Sequence, residues 1–231
     1  MSIFISVGII FLAMLIQVFM QLMPGIFAVF YHSALGKTTA KKADDMSLSF
    51  IIGAEIFTAL FFVIIYATVA FLALEQSFFS NIFPWIMIGI FFSCAIAAFL
   101  FYYRKGKGSE LFISRKIAKS FLLRASTAKN RSDTIVLGFL SGVFELPFTL
   151  PLYIIVSTEL LKNFTTHSYL FIFLYVLSAI LPLFIAHITF HTGNNLVSIM
   201  RSRTKNKLFF KTTISISYIL IAILLILEII L

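Results

Sequence analysis

Apolar residues along this chain form long runs without Asp, Glu, Lys or Arg, separated by short polar segments. Charge-free stretches occupy residues 1–36, 56–74, 76–103, 146–158, 163–200 and 212–227. A helix that crosses a bilayer needs roughly 20 mostly apolar residues, and several of these stretches are long enough on their own. The pattern predicts an all-α integral membrane protein whose six transmembrane helices lie near residues 3–31, 47–74, 82–103, 134–158, 167–191 and 211–231.

The composition is that of a lipid-embedded chain rather than a soluble domain. Of the 231 residues, 61% are hydrophobic and 12% are charged, and the mean hydropathy is +1.06, outside the usual range of soluble proteins. A net charge of +9 would favour nucleic acid binding in a soluble protein, but here it lies in a few loops and indicates orientation. We therefore expect the lipid bilayer as a partner and no nucleic acid.

The basic residues indicate how the helices are oriented. Of the 18 Lys and Arg residues, 17 lie in the segments 32–46, 104–133 and 192–211, and the remaining one is Lys162. Six spans place all three segments on one side of the membrane, which the positive-inside rule identifies as the cytoplasm. We expect an integral plasma (inner) membrane protein with its N-terminus and C-terminus outside and its basic loops in the cytoplasm.

The order of spans and loops predicts two three-helix halves of opposite orientation. Residues 1–103 form the first repeat, residues 104–133 form a basic cytoplasmic linker, and residues 134–231 form the second, inverted repeat. Within the linker, apolar and basic positions over residues 111–125 recur with helical spacing, which favours an amphipathic helix on the anionic leaflet. A solvated linker is the alternative.

Prolines interrupt the first helix of each half. Pro24 and Gly25 lie within helix 1, and Pro147 and Pro151 follow Glu145 within helix 4. Proline removes a backbone donor, and irregular backbone at membrane depth is tolerated only against protein or a watery cavity. Proline-broken helices in matching positions of two inverted halves therefore indicate a transport site near the midplane. A simple bend is the alternative, because proline and glycine are common in membrane helices.

Two acidic residues are candidates for a substrate or proton pathway. Glu145 stands just before Pro147, and Glu55 stands in helix 2 after Gly53. Desolvation disfavours a charged group inside a membrane, so acidic residues there usually face a pathway or relay protons. For Glu55, a partly solvated position near the interface is an equal alternative.

The sequence offers little support for metal, disulfide or enzymatic chemistry. His187 and His191 lie four residues apart on helix 5 and are weak candidates for a metal pair, because no further ligand accompanies them. Cys94 is the single cysteine, which excludes an internal disulfide. No Ser/His or Asp/Asp pair stands out at membrane depth. We expect no enzymatic activity, no cofactor and no metal site.

The first half of the chain resembles a known superfamily of exporters. Residues 23–27, which read MPGIF, the turn at residues 35–37 and Gly53 are similar to the first half of the lysine-exporter (LysE) superfamily. In that superfamily a proline-glycine in helix 1 precedes a cytoplasmic turn of glycine and basic residues. The chain departs from the family at Ile26, where a second proline is usual.

The second half resembles two branches of the same superfamily. Residues 138–142, 145–147 and 151–153 are similar to the Glu-Leu-Pro element of its lipid-addressing (GAP) branch. They also resemble the proline-rich helices of the cytochrome c biogenesis transmembrane (DsbD/CcdA) branch, whose members carry electrons through a cysteine beside each proline. Here no cysteine adjoins the prolines, and a reversible dithiol needs a pair, so we expect no redox activity.

The resemblance and the buried acids together predict a transporter. We expect export of a small solute, meaning an amino acid, an ion or a lipid component, by alternating access with proton coupling. The expected pathway residues are Pro24, Gly25, Glu55, Glu145, Pro147 and Pro151. A non-catalytic membrane assembly or partner-recruiting factor is the first alternative, and a thiol-disulfide carrier-like protein without redox activity is the second. The substrate, the coupling ion and the oligomeric state, including a homodimer, stay open.

Overall fold

The computed structural model describes residues 2–20, 26–27, 30–31, 39–73, 82–101, 123–124, 127–128, 130–191 and 205–231. Its long helices are α1 (Ser2–Phe19), α2 (Ala40–Leu72), α3 (Phe83–Phe101), α4 (Arg131–Asn163), α5 (Ser168–His191) and α6 (Lys207–Ile230). A short 3-10 helix, Thr165–His167, precedes α5. No strand occurs among the described residues, which confirms the predicted all-α class.

Most of these helices are long and apolar enough to cross a bilayer. Among the described residues, five helices, α2 to α6, meet this criterion by length and composition, and the apolar segment of α1, Ile3–Phe19, is shorter. Large apolar side chains cover the outside of the bundle, as at Phe4 (84% exposed) and Phe71 (73% exposed). In water such a surface would be an aggregation site, whereas lipid accommodates it.

Side-chain contacts show which helix ends lie together. The Nζ of Lys162, near the end of α4, lies 3.1 Å from Oε1 of Glu228, near the end of α6. Ser6, near the start of α1, donates a hydrogen bond of 2.6 Å to Glu159 of α4. The start of α1 and the ends of α4 and α6 therefore share one end of the bundle. We call it the terminal end, defined by these four residues.

The opposite end, which we call the basic end, is defined by a second set of contacts. Arg131 at the start of α4 pairs with Asp45 in the first turns of α2 at 2.8 Å. The ammonium of Lys211, near the start of α6, lies 4.4 Å from the ring centroid of Phe99, near the end of α3. Since α1 begins at the terminal end and α4 begins at the basic end, these two helices run in opposite directions.

The most extensive helix contact joins α2 to α4, and it depends on glycine. A Cβ at Gly53 would overlap the carbonyl oxygen of Ile135, and a Cβ at Gly138 would overlap that of Phe50. Gly138 and Gly142 have the spacing of a GxxxG motif, in which small residues let helix backbones approach closely in lipid. Van der Waals packing and Cα–H···O contacts replace the hydrophobic effect as the force between these helices.

The remaining helices pack around this pair in a closed bundle. The other pairs of long helices in contact are α3–α6, α1–α6, α2–α5, α1–α5, α1–α4, α3–α4 and α4–α5. A large group of buried apolar side chains runs through the bundle. A smaller group lies toward the basic end, where Phe30 stacks on Phe50 with ring centroids 5.8 Å apart.

Helix 4 differs from the prediction, because it is not broken. The α-helix α4 is continuous and contains both Pro147 and Pro151. Hydroxyl groups supply extra donors in this turn: Thr149 donates to the carbonyl of Glu145 at 3.1 Å, and Tyr218 of α6 donates to a carbonyl between the prolines at 2.7 Å. These bonds hold the proline-containing segment to its own backbone and to α6, whereas the carbonyls that lose a donor at the prolines are those of Val143 and Pro147.

Several predictions about segments fall on residues that the structure does not describe. Pro24 and Gly25, expected to break helix 1, lie outside the described residues. Most of the linker 104–133 also lies outside them, with nearly all of its amphipathic helix. Only Leu123 and Arg124 of that helix are described, and both are helical.

Two helices are longer than the apolar pattern predicted. The helix α2 begins at Ala40 instead of residue 47, and α4 continues to Asn163 instead of residue 158. Asp133 lies in the first turn of α4 and Lys162 in the last turn, where each charge complements the helix dipole. Apolar periodicity marks the part of a helix in lipid, whereas backbone hydrogen bonding continues into the interface.

Candidate functional site

A ladder of polar side chains runs along the buried face of α4. Ser141, Glu145, Thr149, Tyr153 and Ser157 follow one another at intervals of four residues, and each is at most 4% exposed. Residues four apart are neighbours on a helix surface, so each polar group lies beside the next. We call these five residues the α4 polar ladder. At 1.5 Å per residue it is about 24 Å long, most of a hydrocarbon core of about 30 Å.

Side chains from three other helices meet the middle of this ladder. The Tyr153 hydroxyl lies near the side chains of Thr149, of Thr58 in α2 and of Gln17 in α1. Tyr175 of α5 donates a hydrogen bond of 3.4 Å to Oε1 of Gln17. Gln17, Thr58 and Tyr175 are 3%, 1% and 0% exposed. We call the following set the central cluster: Gln17, Thr58, Glu145, Thr149, Tyr153 and Tyr175.

Glu145 brings a carboxyl group to the central cluster. It lies one turn before Thr149 and two turns before Tyr153 on the same face of α4. The side chain of Thr149 is fixed toward this turn by its hydrogen bond to the Glu145 carbonyl. A carboxyl group among hydroxyl and amide groups can bind a proton, a cation or the amino group of a solute.

Aromatic rings enclose the central cluster. Phe62 of α2 stacks on Tyr175 with ring centroids 4.9 Å apart and meets Tyr153 edge-on at 5.6 Å. The two tyrosine rings are themselves T-shaped at 5.8 Å. All three rings are buried. They present apolar faces to the surrounding helices and leave the phenol hydroxyls as the polar surface of the cluster.

The central cluster lies near the middle of the long helices. Thr149 is 18 residues from the start of α4 and 14 from its end, which corresponds to about 27 Å and 21 Å. Thr58 has the same separations, 18 and 14 residues, from the ends of α2. A bilayer offers no water at this depth, so each polar side chain of the cluster needs a hydrogen-bond partner within the protein.

A second polar group joins α2 to α5 at the basic end. Ser47 Oγ lies 2.8 Å from Nδ1 of His187 and donates to the main-chain oxygen of Asp44 at 2.6 Å. Nε2 of His187 lies 3.6 Å from Oδ1 of Asp44. Serine, histidine and aspartate also form hydrolytic triads, but Ser47 is 0% exposed and a main-chain carbonyl already accepts its hydrogen. The arrangement ties two helices together and offers no accessible nucleophile.

A third polar group surrounds Glu159 at the terminal end. Glu159 is 0% exposed, accepts the hydrogen bond from Ser6 and has its Oε1 3.8 Å from the ammonium of Lys162. Lys162 also lies 3.1 Å from Glu228, and Asn163 donates to Ser6 at 2.8 Å. Glu159 thus connects α4 to α1 through Ser6, and Lys162 connects α4 to α6 through Glu228.

The other predicted site residues lie apart from these hydrogen bonds. Glu55 is half-buried on α2, and its buried Oε2 accepts no hydrogen bond from the described residues. Pro151 is buried, whereas Pro147 is exposed. His187 makes the contacts given above, and the side chain of His191 is not described. Among the described residues, no group of three or more His, Cys, Asp or Glu side chains could hold a metal ion.

Sequence reasoning found one member of the central cluster, Glu145, and missed the rest. The four-residue spacing of polar positions in helix 4 could have revealed Thr149 and Tyr153. Gln17 and Thr58 stand within apolar runs with no neighbouring pattern, so the sequence offers no reason to pair them with helix 4. Glu159 was missed as well, because it stands beyond the predicted end of helix 4.

Comparisons with family models, curated proteins and solved structures find no match to this chain. The resemblance to the LysE superfamily therefore rests on short motifs and stays a prediction. The function has to be inferred from the chemistry of the buried site.

Proposed function

We propose that the protein is a membrane transporter that moves a small polar solute through the central cluster. The observation that carries this proposal is the burial of six polar side chains from α1, α2, α4 and α5 at mid-height in the bundle. Burying polar groups in a bilayer core is costly, and apolar residues would pack a purely structural bundle without that cost. Polar sites near the midplane are where secondary transporters bind their substrates.

The helix contacts support the proposed inverted repeat of α1–α3 and α4–α6. The repeat would exchange α1 with α4, α2 with α5 and α3 with α6. This exchange turns the pair α2–α4 into α1–α5 and the pair α1–α6 into α3–α4. All four of these pairs are in contact. The pairs α1–α4, α2–α5 and α3–α6 convert into themselves and are also in contact. A pseudo-two-fold axis in the membrane plane would relate these seven pairs and requires the opposite directions of α1 and α4. The pair α4–α5, consecutive in the chain, is also in contact, and its counterpart in this exchange would be α1–α2.

The central cluster lies between the two proposed repeats. Gln17 and Thr58 come from the first half, and the other four members come from the second half. Contacts also join the two halves at both ends of the bundle: Ser6 with Glu159 at the terminal end, and Ser47 with His187 at the basic end. We infer that alternating access opens one of these ends at a time while the other stays closed.

Glu145 is the group we assign to coupling. Its carboxyl group can exchange a proton as the site changes its exposure, because protonation removes the charge that the membrane interior disfavours. Export of an amino acid, an ion or a lipid component across the inner membrane, with the basic end in the cytoplasm, is the direction that we propose. The hydroxyl and amide groups of the cluster would bind the polar part of that solute.

The proposal predicts substrate-dependent proton flux in liposomes that contain the purified protein. Amino acids, divalent cations and lipid precursors are added in turn, and proton movement is followed with a pH-sensitive dye. We expect flux with one of these classes, and we expect Glu145→Gln to lower it to the level of protein-free liposomes, because an amide cannot exchange the proton. Flux that persists in Glu145→Gln, or no flux with any class, would overturn the proposal.

A matched pair of threonines tests whether the cluster itself lies on the pathway. Thr58 and Thr68 both belong to α2, and each donates to the carbonyl four residues earlier, at 3.1 Å and 2.8 Å. Thr58 is buried in the central cluster, whereas Thr68 is exposed. We expect Thr58→Val to lower the flux roughly fivefold, the effect of one lost hydrogen bond, and Thr68→Val to leave it unchanged. Equal fluxes in the two variants would contradict a pathway through the cluster.

A further inference from the structure

An apolar groove lies on the outer surface between α3 and α6. Its volume is about 490 Å³, and it is open along one side. It is lined by one face of α3, from Phe92 to Leu100, and by one face of α6, from Thr212 to Ile219. The hydroxyl of Ser215 donates to the main-chain oxygen of Ala95 at 2.6 Å, so the floor of the groove has no free hydroxyl donor there and is suited to hydrocarbon.

A lysine stands at one mouth of this groove. The ammonium of Lys211 lies 4.4 Å from the ring centroid of Phe99, a lining residue. This cation–π contact holds the positive charge beside the apolar groove. Lys207 lies one turn before Lys211, at the start of α6. Both lysines are partly exposed. The positive charge at the mouth would bind the anionic headgroup of a phospholipid, and the apolar groove would bind its acyl chain.

We propose that the groove between α3 and α6 is a binding site for an anionic phospholipid. One acyl chain lies between Phe92 and Ile219, and the phosphate of the headgroup pairs with Lys211. The lining of α3 spans nine residues, which corresponds to about 12 Å, or less than half of a hydrocarbon core of about 30 Å. That length fits one leaflet, the one at the basic end. The positive-inside rule assigns the basic segments to the cytoplasmic side, and the cytoplasmic leaflet carries anionic lipid.

A helix from a second copy of the chain is the competing occupant. A transmembrane helix that packs along α3 and α6 would need a seam through most of the bilayer, whereas the groove covers about one leaflet. Such a helix would also bury the Lys211 ammonium against apolar residues unless it supplied an acid. Both the length of the groove and the charge at its mouth therefore favour lipid.

The test is native mass spectrometry of the full chain in detergent with added phosphatidylglycerol or phosphatidylcholine of identical acyl chains. We expect the wild-type protein to bind phosphatidylglycerol more tightly than phosphatidylcholine. Lys211→Gln should lower that binding about fivefold, the effect of one lysine near an anionic headgroup. The matched control is Lys41→Gln, which removes an exposed lysine at the same end of the bundle but away from the groove, and it should leave binding unchanged.

A second variant fills the groove without changing its charge. Thr212→Phe adds a ring at the lining near Lys211, and we expect it to displace the bound phosphatidylglycerol while the protein still elutes as a single species. Equal retention of the two lipids, equal losses in Lys211→Gln and Lys41→Gln, or unchanged binding in Thr212→Phe would overturn the proposal. A lipid-free dimer that Thr212→Phe dissociates would assign the groove to a second copy instead.

Discussion

Gly138→Ala is expected to destabilise the folded protein by about 1–3 kcal/mol, the usual effect of overpacking. The added methyl group would overlap the carbonyl oxygen of Phe50 in α2. Main-chain atoms cannot rotate aside as a side chain does, so α2 and α4 must move apart along their whole contact. The free energy of unfolding is measured in mixed micelles from the fluorescence of Trp85, the single tryptophan.

Two other glycines provide a graded control for this prediction. A Cβ at Gly142 would meet the ring of Phe57, which can move, and a Cβ at Gly89 would meet nothing within 4 Å. We expect Gly142→Ala to have a smaller effect than Gly138→Ala. Gly89→Ala should be neutral or stabilising by up to about 1 kcal/mol, because alanine favours the helix. Equal effects at all three positions would mean that the α2–α4 crossing is looser than described.

Lys162→Met is expected to cost about 3 kcal/mol of stability, because it removes the cation beside a buried carboxylate. Glu159 is 0% exposed, and its Oε1 has no hydrogen-bond donor among the described residues, so the ammonium at 3.8 Å provides the compensating charge. The double variant Lys162→Met/Glu159→Gln should regain much of the loss, since the buried charge is then absent. A double-mutant cycle in the same unfolding assay measures this coupling.

The ion pair at the other end of the bundle is the control. Arg131 and Asp45 lie 2.8 Å apart, but their side chains are 68% and 43% exposed. An exposed pair contributes about 0–1 kcal/mol, so Arg131→Met should have little effect. If Lys162→Met costs no more than Arg131→Met, Glu159 is neutral in the folded protein and the terminal end is held by hydrogen bonds alone.

The polar groups that the structure brings together near the prolines of α4 are side chains rather than free backbone groups. Pro147 and Pro151 were predicted to unwind helix 4 and to expose backbone groups for binding. The helix continues through both prolines, and the buried polar groups are side chains of the α4 polar ladder and of the helices that face it. In the proposed site, side-chain hydroxyl, amide and carboxyl groups would therefore take the place of free backbone groups.

The sequence by itself determined the features that depend on the solvent around the chain. Runs of about 20 apolar residues were enough to predict the helical class and most helix positions, because the backbone in lipid must satisfy its hydrogen bonds within each helix. The basic segments predicted the alternation of the spans, which agrees with the helix ends that meet at Lys162 and at Arg131. Glu145 was identified because a charged residue is conspicuous in an apolar run.

Only the tertiary structure decided which polar residues meet. Gln17 and Thr58 join Tyr153 across separate helices, and Ser6 reaches Glu159 over 153 positions of sequence. Helix rotation and crossing determine such pairs, and they depend on packing details such as the absence of a Cβ at Gly53 and Gly138. An apolar pattern indicates that a helix is in lipid, but it does not indicate which face of that helix packs against its neighbours.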